Sequence, residues 1–85
     1  MWYVYIIKCS DNTFYTGTTS EISRRLDEHN SRKGGAYTRT RAPVKLVYQE
    51  TRKTRSQAQK REAQIKSWPR SKKCELIRKS RRIHL

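Results

Sequence analysis

The stretch WYVYIIK, at residues 2–8, decides the fold. Its β-branched and aromatic side chains favour a strand. The next stretch, CSDNT at residues 9–13, is typical of a turn, because Ser, Asp and Asn bond their own backbone and Asn tolerates left-handed geometry. The segment FYTG at residues 14–17 is then predicted to be the returning strand of a hairpin.

The hairpin brings two tyrosines together. With Ser10 at the centre of the turn, Tyr5 and Tyr15 lie directly opposite each other. Opposed residues on antiparallel strands have Cβ atoms about 5 Å apart, so both phenols are predicted to point from one face. A register slip of one residue would separate them. Cross-strand packing is the ordinary role of such a pair, and a chemical role is the alternative.

A first helix is predicted after the hairpin, ending at about Ser31. The hydroxyls of residues 18–20 can cap it, and Glu21 lies in the first turn, where the helix dipole favours an anion. The glycines at 34–35 follow its end. At about 100° per residue, one inward sector combines two apolar side chains with two that suit phosphate groups: Ile22, Leu26, Arg25 and His29. A solvated surface is the ordinary role of the latter two.

A third strand is predicted after a loop at residues 34–42. It begins at Pro43 and continues through VKLVYQE, residues 44–50. Side chains of a strand alternate between its two faces. The alternation predicts that three side chains share one face: Val44, Leu46 and Tyr48.

Two further helices complete the chain. One is predicted at residues 56–68, with Ser56 as its cap and with Pro69 preventing continuation. The other, at residues 71–81, is strongly basic, and its inward side chains are Leu76, Ile77 and Ile83. The order ββαβαα predicts a single α/β (α+β) domain over residues 1–85, with a small, three-stranded, mostly antiparallel sheet flanked by helices.

Positive charge dominates the composition. The 85 residues include 21 Lys and Arg against 7 Asp and Glu, a net charge of +14, and residues 51–85 carry +11 of it. Clustered cations release counterions from phosphates, so a polyanionic partner is predicted, with nucleic acid favoured over an anionic membrane surface. The residues expected to contact nucleic acid are Tyr37, Arg39, Arg41, Lys60, Arg61, Lys66, Lys72 and Lys73.

Several classes of protein are excluded by pattern. No apolar run approaches the roughly 18 residues needed to cross a bilayer, and no signal-peptide pattern opens the chain. Cys9 and Cys74 are too few for a disulfide scaffold and indicate reduced thiols in a cytoplasmic protein. Together with His29 and His84 they lack the paired spacing of a zinc site.

Glu62 is a charged residue at a position that is predicted to face the core. On the second helix, Ala58, Glu62 and Ile65 form an i, i+4, i+7 stripe that should face inward. A buried carboxylate must be paired, protonated or bound to metal. An exposed i,i+4 pair with Lys66 is one interpretation. The other interpretation is that Glu62 is a single carboxylate that anchors Mg²⁺, with waters and substrate phosphate as the remaining ligands.

The ordered motifs resemble the GIY-YIG nuclease superfamily, which includes homing endonucleases, some restriction enzymes and the N-terminal incision domain of an excision-repair subunit. The resemblance is strongest to its small stand-alone bacterial members. It covers residues 2–66, and the matching segments are YVYI at 3–6, YTG at 15–17, RRL-x-x-H at 24–29, YTR at 37–39, P-V-x-L-V-Y at 43–48 and R-E-x-x-I-K at 61–66.

The resemblance implies a role for each of five residues. Tyr5 stands at the tyrosine of GIY and Tyr15 at that of YIG, ten residues apart as is usual in the family. Arg25 matches the helix arginine. Glu62 matches the metal-binding glutamate, and His29 a position used by His or Tyr. These are the residues that strand and helix periodicity also select.

The activity that the resemblance implies is hydrolysis of a nucleic-acid phosphodiester, in DNA rather than RNA, with Mg²⁺ or Mn²⁺ held by Glu62. Tyr5 would position or deprotonate the attacking water, with Tyr15 assisting. Arg25 would neutralise charge at phosphorus, and His29 would support the phosphate or the departing group. One small domain, as a monomer or weak dimer, favours nicking or structured and single-stranded substrates.

Two departures from the family pattern keep an alternative open. Thr18 stands where excision-repair relatives have a lysine, and no asparagine follows Asn30. The chain would then be a catalytically weak or inactive nucleic-acid-binding module. A peripheral membrane protein is disfavoured, because the basic segment at 71–81 has too thin an apolar face.

Overall fold

Three strands and three helices are present in residues 1–31 and 40–83, which the computed structural model describes, with side chains as far as residue 80. They are β1 (Trp2–Lys8), β2 (Phe14–Thr19), α1 (Ile22–Asn30), β3 (Lys45–Arg52), α2 (Arg55–Lys66) and α3 (Arg70–Ile83). The sheet is antiparallel with strand order β2-β1-β3. The predicted α+β class and the order ββαβαα are confirmed. No helix in these residues is long and apolar enough to span a membrane.

The central strand β1 is buried on both faces, which explains its continuous apolar sequence. Val4 and Ile6 point to the face covered by α2 and α3, where they pack with Ala58, Ile65 and Ile77. The alternate residues of β1 point to the face covered by α1. That second cluster contains Tyr5, Ile7, Cys9 and Val44, with Ile22 and Leu26 packed against it.

The hairpin register differs from the predicted one. Tyr5 pairs with Gly17, and Tyr15 pairs with Ile7, so the two tyrosines are diagonal neighbours instead of opposed ones. The turn is centred on Asp11, not on Ser10: the side chain of Asp11 accepts hydrogen bonds from the backbone N–H and the hydroxyl of Thr13. The offset is two residues, so the phenols still share one face.

A register shift in β3 corrects the prediction that Val44, Leu46 and Tyr48 share a face. Ile6 pairs with Tyr48 and Ile7 pairs with Leu46, which leaves Val47 as an extra residue on β3. Such a bulge moves the residues beyond it to the opposite face. Tyr48 therefore packs on the α2–α3 side, whereas Val44 and Leu46 pack on the α1 side.

Both predicted helix caps are wrong. β2 continues to Thr19, so the N-cap of α1 is Glu21, and its side chain makes no capping bond. The N-cap of α2 is Thr54, whose hydroxyl accepts a bond from the backbone N–H of Gln57, instead of Ser56. Helix α3 packs through Leu76 and Ile77 as predicted. The predictions for Tyr37, Arg39 and the side chain of Ile83 fall outside the described residues.

Candidate active site

A hydrogen bond joins β1 to α1 in the interior. The hydroxyl oxygen of Tyr5 lies 3.0 Å from Nε2 of His29. Only 3% of Tyr5 and 0% of His29 is exposed. The inward sector of α1 explains the meeting, because Ile22 and Leu26 anchor the same side of the helix on the sheet. Each polar group thereby gives the other a buried partner.

The second tyrosine packs against the same imidazole. The ring centres of Tyr15 and His29 are 5.4 Å apart in an edge-on arrangement. Those of Tyr5 and His29 are 6.0 Å apart. The two-residue offset in the hairpin places the phenols diagonally on one face, so the imidazole of α1 can lie against both of them.

Gly17 leaves the space that Tyr5 occupies. It lies opposite Tyr5 in the edge strand β2. A Cβ atom at Gly17 would be 2.6 Å from Oη and 2.8 Å from Cζ of Tyr5, and 3.1 Å from Cε1 of Tyr15. The Tyr5 ring therefore lies across the backbone of β2. Sequence reasoning gave Gly17 no packing role, although a glycine within a strand is a signal of close approach by another group.

Burial and charge keep the Tyr5–His29 pair neutral. Burial raises the pKa of the Tyr5 phenol, although the hydrogen bond that Arg25 donates to the phenol oxygen and the charge of that guanidinium act in the opposite direction. Burial lowers the pKa of His29, and the positive charge of Arg25 lowers it further. At neutral pH the pair consists of a phenol and an uncharged imidazole. Arg25 is held from its other side by Glu28, with Nη1 3.4 Å from Oε1.

Glu62 lies at the edge of the core. It is neither fully buried, as the helix stripe predicts, nor fully exposed, as a surface ion pair would be. Its neighbours on the stripe, Ala58 and Ile65, are fully buried, whereas 19% of the Glu62 side chain is exposed. Its Oε2 lies 2.7 Å from Nζ of Lys66, so the predicted i,i+4 ion pair is present. Its negative charge also raises the pKa of Tyr5, so the carboxylate is within electrostatic range of the phenol.

A single carboxylate is a suitable anchor for Mg²⁺ or Mn²⁺ and an unsuitable one for zinc. In the described part of the chain, no three His, Cys, Asp or Glu side chains converge on one point. Magnesium keeps several waters and takes one or two carboxylates plus substrate phosphate oxygens, whereas zinc needs three or four protein ligands. The donor set around Glu62 therefore fits a magnesium-like ion that is completed by substrate.

Lys66 supplies a cation that sequence reasoning did not connect to the tyrosines. Its Nζ lies 5.7 Å from the ring centre of Tyr15 as well as beside Glu62. Thr18, at the position of the family lysine, lies opposite Val4 and so points to the α2 side of the sheet. Lys66 comes from α2 itself, so the site has a local cation without a lysine at position 18.

The basic residues expected to contact nucleic acid have different surroundings. Lys60 is exposed, and Lys72 lies over the Trp68 ring, with Nζ 4.4 Å from the ring centre. Arg61 stacks on the same ring at 5.1 Å, and its Nε lies 2.9 Å from Oε1 of Glu50. Lys73 is half-buried. Arg41 forms an ion pair with Asp11, in which Nε lies 3.1 Å from a carboxylate oxygen.

Fold and site together define a catalytic domain of the GIY-YIG type. The family model described as the GIY-YIG catalytic domain matches residues 1–75, and the chain belongs to this family. Among relatives, it is 52% identical over 80 residues to UPF0213 protein DP2720 of Desulfotalea psychrophila, covering 93% of this chain and 73% of that protein. It is 49% identical over 76 residues to UPF0213 protein SAV0488 of Staphylococcus aureus, covering 89% and 93% respectively.

Two solution NMR structures have similar folds. The UPF0213 protein BH0048 from Bacillus halodurans has a TM-score of 0.58 and 40% identity, with 91% of this chain and 83% of that chain covered. The protein EF2693 from E. faecalis has a TM-score of 0.62 and 41% identity, with 93% and 84% covered. The predicted resemblance to small stand-alone bacterial members is confirmed.

Proposed function

We propose that this protein is an endonuclease that hydrolyses phosphodiester bonds of nucleic acid, DNA rather than RNA, with Mg²⁺ or Mn²⁺ as cofactor. The observation that carries the proposal is the buried, uncharged Tyr5–His29 pair beside the Arg25 guanidinium. Cross-strand packing alone does not require a proton acceptor behind a phenol. Membership of the GIY-YIG catalytic-domain family supports the same reaction class.

Tyr5 and His29 together act as a proton acceptor for the attacking water. In the tautomer with Nε2 unprotonated, the Tyr5 hydroxyl donates to it across 3.0 Å. A proton leaves the water for the Tyr5 oxygen as the Tyr5 proton passes to Nε2. The hydroxide attacks phosphorus, the bond to the 3′ oxygen breaks, and solvent protonates that oxygen. His29 then returns its proton through the Tyr5 oxygen to solvent. The products carry a 5′-phosphate and a 3′-hydroxyl.

The other site residues stabilise charge and geometry. Arg25 donates forked hydrogen bonds to the phosphate oxygens as negative charge grows on them. Tyr15 holds the imidazole of His29 through its edge-on contact. A divalent ion bound at Glu62 would supply Lewis-acid polarisation of the phosphate. One site in a small domain, as a monomer or weak dimer, fits nicking of structured or single-stranded substrates.

A nucleic-acid-binding module without catalysis is the second candidate. The observation in its favour is the 2.7 Å ion pair, in which Lys66 occupies one oxygen of the Glu62 carboxylate. In this case the basic surface would bind substrate, and the carboxylate would have only a structural partner. Metal dependence separates the two candidates, because only the nuclease needs Glu62 to exchange Lys66 for a divalent ion.

The test compares Glu62→Gln with Glu75→Gln. Glu75 forms the same type of i,i+4 pair, with Lys79 at 3.1 Å, and lies on α3. Nicking of single-stranded, duplex and branched DNA and of RNA is measured during titration with Mg²⁺ and Mn²⁺. The nuclease proposal expects metal-dependent cleavage that Glu62→Gln abolishes while binding is retained, and that Glu75→Gln leaves intact. Absence of cleavage by the unchanged protein on every substrate would favour the binding module.

A further inference from the structure

A groove lies on the side of the sheet opposite to the Tyr5–His29 pair. It occupies about 220 Å³ between the hairpin end of the sheet and α3. We call it the hairpin groove, and its lining residues are Lys8, Phe14, Val47, Cys74, Ile77 and Arg78. Phe14, Val47 and Ile77 belong to the apolar cluster beneath α3 and give the groove an apolar floor. Lys8 and Arg78 are exposed at its rim.

The cations around the hairpin groove form no close ion pairs with the carboxylates of the described residues. Lys8 lies directly opposite Lys45 on β3, and like charges in this position destabilise a sheet. Arg70 stacks on the Phe14 ring with Cζ 4.2 Å from its centre. Among the described residues, Lys8, Lys45, Arg70 and Arg78 have no carboxylate oxygen within 4.0 Å, whereas seven other ion pairs are formed. An anionic ligand would relieve the repulsion between these cations.

The hairpin groove is connected to the candidate active site around the edge strand. Phe14 and Tyr15 are consecutive residues of β2, so their side chains point to opposite faces of the sheet. Lys66 lies over Tyr15, and Arg70 lies over Phe14. The two cations follow one another where α2 passes into α3. A strand that passes around β2 from one face to the other would therefore meet both cations, of which Lys66 is paired with Glu62.

We infer that the hairpin groove binds one nucleotide of single-stranded nucleic acid that flanks the scissile phosphate. The inference rests on the proposed function for its choice of ligand. The base packs against the part of the Phe14 ring that Arg70 leaves uncovered and lies on the apolar floor, and its phosphates are held by Lys8, Arg70 and Arg78. Aromatic stacking with cationic tracking of the backbone is how proteins bind single strands without reading their sequence.

The size and chemistry of the groove favour a single strand over a duplex. Its volume of about 220 Å³ is below the roughly 300–1,000 Å³ typical of pockets for drug-sized ligands, which fits a single base. The bases of a duplex are stacked on each other and cannot reach an apolar floor without being unpaired, which costs a few kcal/mol. Duplex would therefore contact only the cationic rim.

Binding is measured by fluorescence anisotropy in EDTA with the Glu62→Gln protein, so that the result does not depend on cleavage. The probes are labelled oligothymidine and a blunt duplex of equal length. We expect Phe14→Leu to weaken oligothymidine binding roughly 5- to 150-fold, the loss associated with one stacked base, and to change duplex binding by less than about twofold. Phe14→Tyr keeps an aromatic ring and should restore binding, which distinguishes stacking from a folding defect.

A charge-matched pair of variants tests the rim. Lys8→Ala with Arg78→Ala removes one Lys and one Arg from the groove, and Lys53→Ala with Arg55→Ala removes the same charges at the other end of the sheet, where Arg55 lies over the Trp2 ring. The groove variant should reduce the salt slope of oligothymidine binding by about 1.4, and the control by less. Equal effects of both double variants, or unchanged binding by Phe14→Leu, would overturn the inference.

Cys74 provides a second readout at the groove itself. It lines the groove and is half-buried, whereas Cys9 is buried, so a thiol reagent reports mainly on Cys74. Bound oligothymidine should slow its modification, and failure to protect it would count against occupation of the groove. If oligothymidine binds there but the unchanged protein cuts nothing, the proposed function fails and the groove assignment stands. If the unchanged protein cleaves and Phe14→Leu binds normally, the groove assignment fails and the proposed function stands.

Discussion

The hydroxyl oxygen of Tyr5 lies 3.0 Å from Nε2 of His29 across the α1 face of the sheet, and both side chains are buried. Ionising either group costs free energy, because the interior does not replace the hydration that a charge would have in water. The pair therefore has consequences for folding as well as for the proposed chemistry, and these can be measured separately.

Stability should depend on pH through this pair. The pKa of His29 is lowered in the folded protein, so below its ordinary value of about 6.5 the unfolded chain binds the proton first. The free energy of unfolding should then fall as pH drops from about 6.5 through the folded pKa. The pKa of Tyr5 is raised, so stability should also fall as pH rises above about 10.

Urea denaturation between pH 5 and 8 measures the loss of unfolding free energy on the acid side. The variant His29→Gln shows how much of that loss comes from His29. Gln is polar and does not titrate in this range. The slope of unfolding free energy against pH should become shallower between about 5 and 6.5 in the variant. An unchanged slope would mean that His29 is not the group responsible.

Removing the Tyr5 hydroxyl should lower both the turnover number and the free energy of unfolding. Tyr5→Phe takes away the atom that accepts the proton from water, so the turnover number for cleavage should fall roughly 10²- to 10⁴-fold. It also removes the hydrogen bond between Tyr5 and Nε2 of His29, at a cost of about 1–3 kcal/mol in the free energy of unfolding. Kinetics on a nicking substrate and urea denaturation measure the two effects.

Tyr48→Phe is the matched control. The Tyr48 hydroxyl donates to Oε1 of Glu50 at 3.1 Å, on the other side of the sheet. This variant loses a phenol oxygen without touching the proposed site, so its turnover number should stay within about twofold. Equal loss of activity in both variants would argue against a specific role for Tyr5.

Gly17→Ala should displace the Tyr5 ring. The new Cβ would lie 2.6 Å from Oη and 2.8 Å from Cζ of Tyr5, and in a packed interior such overlap costs about 1–3 kcal/mol. Cleavage should decrease together with stability. In a Tyr5→Val background the overlap with Tyr5 is gone, so most of the added cost of Gly17→Ala should vanish in a double-mutant cycle. A cost that persists there would come from the 3.1 Å approach to Cε1 of Tyr15 or from the backbone of β2.

The sequence predicts those parts of the fold that follow from periodicity. The predicted bounds of β1, which rest on its β-branched run, are confirmed, and so is the inward sector of α1, through the burial of His29. The predicted hairpin register is wrong, because two turn centres one residue apart satisfy the same local chemistry. The bulge at Val47 is missed for a similar reason: it is set by pairing with β1, and nothing within β3 marks it.

The candidate site is predictable as a set of residues but not as an arrangement. Strand and helix periodicity indicate Tyr5, His29 and Glu62 as unusual, and their roles remain predictions. The space left by Gly17 and the position of Lys66 beside Tyr15 both depend on how β2 packs, which involves residues distant in sequence. A glycine within a strand signals that some group approaches closely, but local patterns do not identify that group.

Lys66 should compete with a divalent ion for Glu62. Its Nζ lies 2.7 Å from Oε2, so Lys66→Met removes a positive charge from the carboxylate and leaves a side chain of similar length. The concentration of Mg²⁺ at half-saturation should decrease. NMR titration of the Glu62 side-chain resonances measures this without requiring cleavage. The control is Lys60→Met on the same helix, where the residue is exposed and Mg²⁺ affinity should be unchanged.

Thr16 offers a gain in stability. Its hydroxyl is buried and has no hydrogen-bond partner among the described residues, so it loses hydration without compensation. Thr16→Val replaces the hydroxyl by a methyl group of similar size and should raise the free energy of unfolding by about 1 kcal/mol, measured by urea denaturation. Thr19→Val is the control, because the Thr19 hydroxyl accepts a hydrogen bond from the backbone N–H of Glu21 at 3.1 Å. That variant should lose about 1 kcal/mol, and equal losses in both would show that the Thr16 hydroxyl has a partner in solution.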